Sequence, residues 1–69
     1  MSVTREAVEQ LLGKRVHLET TDFHHLVGTL KARRDGRLQI LVQGRELLVA
    51  TAAVASLTEA GPHESEYLK

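Results

Sequence analysis

Residues 26–49 read LVGTLKARRDGRLQILVQGRELLV, and this stretch decides the fold. Leu26, Gly28 and Leu30 alternate with Val27, Thr29 and Lys31, and Leu38, Ile40 and Val42 alternate with Gln39 and Leu41. A period of two marks strands with one buried face. Between the two runs, Arg34-Asp35-Gly36-Arg37 holds Asp-Gly, the dipeptide that suits a tight hairpin whose central residues need positive φ. Gln43-Gly44-Arg45 reads as a second tight turn, and Glu46 to Val49 as the strand after it. Gly28 inside a strand predicts a sharp bend with no room for a Cβ.

Upstream, Val16, Leu18 and Thr20 alternate with Arg15, His17 and Glu19, which gives one more strand. Thr21-Asp22-Phe23 is the turn after it, with Asp22 able to cap its own backbone. The first residues carry a helical pattern over Arg5 to Leu12. Thr4 is the N-cap, Glu6 lies in the first turn, and Val3 and Val8 are spaced as a hydrophobic staple. Val8, Leu11 and Leu12 form its apolar stripe, and Gly13 supplies the left-handed residue past its end. A helix this short is unstable alone and must dock. Downstream, Val54 and Leu57 mark a short fifth strand. Gly61-Pro62 closes the barrel unit, 1–60, and residues 61–69 read as a polar, flexible tail.

One helix followed by five short strands on tight turns leaves no connection long enough for a parallel pair. The expected fold class is mostly β: a strongly bent antiparallel sheet closing into a small barrel behind the helix. Val16, Leu18, Leu26, Leu30, Leu38, Ile40, Val42, Val54 and Leu57 are its expected core.

The chain has 69 residues, no cysteine, and only Phe23 and Tyr67 as aromatics. A domain of this size buries only about 60% of the surface its unfolded chain exposes. Without disulfides or thiolate zinc sites, a partner subunit is the expected source of further stability. Nine basic and nine acidic side chains cancel, which argues against a broad sequence-independent nucleic-acid coat. No apolar run approaches the roughly 20 residues of a membrane span, and no signal-peptide pattern opens the chain. A cytoplasmic location without membrane association is therefore expected.

At this point the residues resemble a family. The helix, Gly13-Lys14-Arg15-Val16-His17-Leu18, the turn at Asp22 and Gly28-Thr29-Leu30 resemble the first signature of Sm-like proteins. Residues 49–57, VATAAVASL, look like the second signature, in which apolar residues flank a tight turn into the last strand. This region is similar to the bacterial Hfq-type RNA chaperones. The resemblance covers about Thr4 to Glu59 and implies an Sm-like (SH3-like) barrel. It also implies homo-oligomerisation into a closed ring of five to seven copies, in which the fourth strand pairs with a neighbour's fifth.

The family's RNA contacts do not carry over. Its Asp-x-x-x-Asn element falls on Arg34-Asp35-Gly36-Arg37-Leu38, and the chain contains no Asn. Ala50-Thr51 stands where the second signature has Arg-Gly, and Thr51-Ala52 where Hfq has Lys-His. A second similarity is to the C-terminal, also Sm-like, domain of the ribosome maturation factor family. It rests on Gly28-Thr29-Leu30, Asp35-Gly36, Gln43-Gly44-Arg45-Glu46 and Val54, and implies a ribosome-associated role.

Lys31, Arg33, Arg34, Arg37 and Arg45 are the candidate nucleic-acid-binding residues. They flank the two turns and could meet phosphates at a non-standard basic surface. The plain alternative is solvated hairpin charge that keeps strand edges from aggregating. Leu47, Leu48, Val49, Val54 and Leu57 are the candidate oligomer interface. Because Leu47, Leu48 and Val49 are consecutive, one face of that strand is apolar without a place in the barrel. His24 and His25 are adjacent, so a strand would point them to opposite faces, and no cysteine or acidic cluster completes a metal site. No Ser-His-acid pattern and no Gly-rich phosphate loop occurs. The expectation is a non-enzymatic chain with no catalytic residues, cofactor, metal or small-molecule substrate. Its expected partners are further copies of itself and RNA, or else other proteins for which the barrel serves as an assembly module.

Overall fold

The computed structural model describes residues 4–61 and 63–69. Helix α1 spans Arg5–Leu11. The Thr4 hydroxyl accepts from the Ala7 amide at 3.2 Å, satisfying one of the free donors of the first turn. The helix ends at Leu11, with Leu12 as its cap and Gly13 at φ +80°. Val8 is its one buried side chain, and Leu11 packs against the same core. Val3, the other half of the expected staple, lies outside the described residues.

Five strands follow: β1 Arg15–Thr20, β2 His25–Arg34, β3 Arg37–Val42, β4 Arg45–Ala50 and β5 Val54–Glu59. A short 3-10 turn, Thr51–Ala53, joins β4 to β5. All pairings are antiparallel, in the order β4-β3-β2-β1-β5. Both hairpin turns are two-residue turns with two positive φ values: 53° and 71° at Asp35-Gly36, 50° and 82° at Gln43-Gly44. That mirror-image turn matches the right-handed twist of the strands it joins.

The core consists of Val8, Val16, Leu18, Leu26, Leu30, Leu38, Ile40, Val42 and Val54. Leu57 is half-buried against it. Gly28 is where the sheet folds over itself. A Cβ there would lie 2.6 Å from the Leu41 carbonyl oxygen and 2.7 Å from Val42 Cγ2, so no side chain fits without moving backbone.

The segment after Gly61, expected as a free tail, carries β6, Tyr67–Leu68, which pairs with β2 at Leu26↔Leu68 and Val27↔Tyr67. β3 turns away at Gln43, so the first half of β2 has β1 on one side only, and β6 fills the other. This explains Val27, which faces outward beside His17 yet is 0% exposed.

Candidate assembly edges and basic hairpin

The end strands of the sheet, β4 and β5, each have one partner among the described residues. Their backbone parity follows from the register. The two-residue turn at Gln43-Gly44 makes Val42↔Arg45 a hydrogen-bonded pair, so Ile40↔Leu47 and Leu38↔Val49 are too. Leu47 and Val49 thus bond to β3 and point inward, where both are half-buried. Glu46, Leu48 and Ala50 point outward and turn their N–H and C=O groups to the free edge. Leu48 is 66% exposed.

On β5 the Ala60 amide donates to the Arg15 carbonyl at 3.0 Å, which makes that pair and His17↔Thr58 hydrogen-bonded. Leu57 and Glu59 therefore turn their backbone to the other free edge, and their side chains share the inward face with Val16 and Leu18. Val54, expected at an interface, is 1% exposed, so its side chain belongs to the core, and its amide donates to the Thr51 carbonyl. The face given to each leucine depends on register, which the bare run Leu47-Leu48-Val49 does not reveal.

The structure divides the five expected cations. Arg34 and Arg37 sit directly opposite each other at the tip of the β2–β3 hairpin. With Asp35, Gln39, Glu46 and Leu48 they line a shallow groove of about 340 Å³. Gln39 donates from its amide to the Glu46 carboxylate, so that acid is engaged. Arg33 pairs with Leu38 and so projects from the opposite face. Lys31 is the extra residue where the register shifts between Leu30 and Ala32, a β-bulge. Arg45 opens β4 at the other end of β3, about 17 Å from Arg37 at strand spacing. It lines a separate groove with Val42, Gln43, Leu47 and Leu68. The hairpin tip is tied to the β4–β5 turn: both the amide and the hydroxyl of Thr51 donate to the Gly36 carbonyl, at 2.9 and 3.1 Å.

The histidines go elsewhere. His25 stacks on His17 on the outer face, with centroids 5.8 Å apart and rings 16° from parallel. His24 lies in the turn, 3.6 Å from the Asp22 carboxylate. The Thr20 hydroxyl donates to Asp22, and this bond, more than the nearby His24, holds the Asp22 carboxyl below its ordinary value. Among the described residues, no three His, Asp or Glu side chains come together as metal ligands, and no helix is long and apolar enough to cross a membrane.

No family model and no curated protein matches this chain. Among solved structures it is similar to the SmAP1 heptamer of P. aerophilum, with a TM-score of 0.63 and 18% identity. The match covers 88% of this chain and 99% of that one. Together with the short helix, the strand order β4-β3-β2-β1-β5 and the fold-over at Gly28, this likeness gives the chain an Sm-like barrel fold.

Proposed function

We propose that this chain is a homo-oligomeric Sm-like module whose copies join head to tail, β4 to β5, into a closed ring of five to seven. The observation that carries this reading is the parity of the two free edges. β4 offers backbone groups from outward-facing residues, and β5 offers them from inward-facing residues. Hydrogen-bonded residues on neighbouring strands share one face of a sheet. A β4–β5 junction therefore carries the outer face of one barrel into the inner face of the next. Leu48 then lies on the same side as the neighbouring copy's Leu57 and enters that copy's half-filled core margin. This accounts for an exposed leucine at the middle of an edge strand. Full burial of a leucine stabilises by about 1.5–3 kcal/mol, repeated at every junction of the ring.

Heterologous junctions of this kind close when the rotation per copy divides a full turn. Sedimentation at tens of micromolar tests the reading. A ring sediments at five to seven times the chain mass of 7.6 kDa, and a monomer at that concentration overturns it.

RNA contact is the second part of the proposal, and Arg34 with Arg37 supports it. Like charges directly opposite on paired strands repel. The described ion pairs engage Lys14, Arg15 and His24, leaving these two guanidinium groups free to meet a phosphate. Each copy in a ring would present one such pair. Short-RNA affinity measured against salt tests this: phosphate contact predicts a steep fall with salt and a loss on Arg34→Gln. Assembly without RNA affinity would leave a pure protein-assembly module.

A further inference from the structure

The C-terminal segment builds a site on the first half of β2 that belongs neither to the assembly edges nor to the basic hairpin. His25 and Lys69 exchange both backbone hydrogen bonds, at 2.9 and 2.7 Å, and Val27 and Leu26 pair with Tyr67 and Leu68. The Glu66 carboxylate is the anchor. It accepts from the Gln43 amide at 2.7 Å and from the Thr29 hydroxyl at 3.5 Å, and it lies 3.9 Å from the Arg15 guanidinium. The Gln43 side chain donates back to the Glu66 carbonyl at 3.0 Å. The site thus has a pairing edge and a carboxylate cradle drawn from three different parts of the sheet.

Its occupant is lightly held. None of the described residues after Ala60 is buried, and Leu68 is 57% exposed. Local stability follows buried contacts, so this strand is the first to open. It is folded back by a small exposed turn, in which the Glu64 amide donates to the Gly61 carbonyl at 3.1 Å and the Glu64 carboxylate accepts from the Gly61 amide. The Arg15 guanidinium also donates to the Glu64 carbonyl at 2.8 Å. Once that bond and the turn open, the five-residue stretch 61–65 reaches about 17 Å when extended. Departure of the strand would leave the His25 and Val27 backbone groups on the side away from β1 unpaired, an edge that recruits another strand.

We infer that the His25–Val27 edge is a strand-addition site whose occupant is exchangeable between copies: residues 66–69 of a second copy dock there in place of the chain's own. The segment already satisfies every contact of the site, and exchange of an identical element needs no new surface. A short tether holds its own strand at an effective concentration in the millimolar range, so exchange grows as protein concentration approaches that range. The link uses none of the outward backbone groups of β4 or β5; Leu68 meets β4 only across the groove it shares with Arg45 and Leu47.

The natural sequence has no cysteine, so a disulfide reports the exchange cleanly. His25→Cys chains are mixed with Lys69→Cys chains at about 0.5 mM, near the tether's effective concentration, and oxidised. A hydrogen-bonded antiparallel pair places its Cα atoms about 5.5 Å apart, within disulfide range. The expected result is a cross-linked heterodimer at several times the yield of a His25→Cys plus Thr58→Cys control. Excess peptide of sequence HESEYLK should suppress it. Yield no higher than the control overturns the inference.

The same peptide titrated into the unmodified chain should shift the Gln43, His25 and Val27 amide resonances. No shift at several times the tether's millimolar concentration also overturns the inference, whether or not the cysteine chains fold. Cross-linking repeated in Leu48→Lys chains separates the two readings: exchange survives there, whereas a β4–β5 junction does not.

Discussion

β2 and β4 both pair with β3 but are opposite in how completely the structure uses them. β2 runs ten residues and is paired on both sides, with β1 along one edge and β6 then β3 along the other. It buries Leu26, Val27, Gly28 and Leu30. β4 runs six residues with one partner and buries none fully, although Leu47-Leu48-Val49 is as apolar as anything in β2. A strand that apolar is finished only when both its faces and both its edges are occupied. The barrel completes β2 from its own chain and leaves the outer edge of β4 open. On the proposed readings the last partner of β4 is a neighbouring copy, and that of the first half of β2 is residues 66–69 of either copy.

The largest effect is expected at the centre. Gly28→Val places atoms within 2.6 Å of the Leu41 carbonyl and should abolish soluble folding; a soluble variant with a native circular dichroism spectrum would remove the fold-over from the account. Next, Ile40→Ala opens a cavity beside that fold and should lower stability by about 2–5 kcal/mol, read by urea denaturation. An unchanged midpoint would place Ile40 outside the core.

At the edge the expected result reverses, with assembly lost and the fold kept. Leu48→Lys puts a charge where the junction must bury it, and sedimentation should report monomers that retain the native spectrum. If Leu48→Lys unfolds the chain instead, β4 is core and the contrast with β2 collapses. Glu66→Ala tests the intermediate case. It removes a charged acceptor from the Gln43 amide and should cost about 1–2 kcal/mol, with faster hydrogen exchange at Gln43 and Val27 but little change at Leu38 or Ile40.

The smallest effect is expected at Asp22. Its folded-state pKa lies below the ordinary value, so its contribution is present above the ordinary carboxylate range and is lost as pH falls through the folded value. Asp22→Asn should leave neutral-pH stability nearly unchanged and flatten a small loss below about pH 4.

The sheet's centre was legible in the sequence because its signals are local. Alternation in Val16–Leu18 and Leu38–Val42, Asp-Gly and Gln-Gly at the turns, and a lone glycine in a strand each act within a few residues. The edges were less legible. Leu47-Leu48-Val49 announced two apolar faces, but only the register against Leu38 and Ile40 decided that Leu48 is the exposed one. Of the expected cations, Arg34 and Arg37 came together, while Arg45 went to the far end of β3 and Arg33 to the opposite face. β6 left no pattern to read. Two residues cannot show a period, and its anchor, Glu66, is in sequence one acid among others.

The amino-acid sequence by itself determined the element order, the hairpins, the aliphatic core and the absence of disulfide support, because propensity and patterning act along the chain. Only the tertiary structure decided three things: that residues 66–69 close β2, that Val27 is buried on the outer face, and that the two free edges carry opposite parity. Each depends on which strand lies beside which. That is a contact between residues distant in sequence, and no local period encodes it.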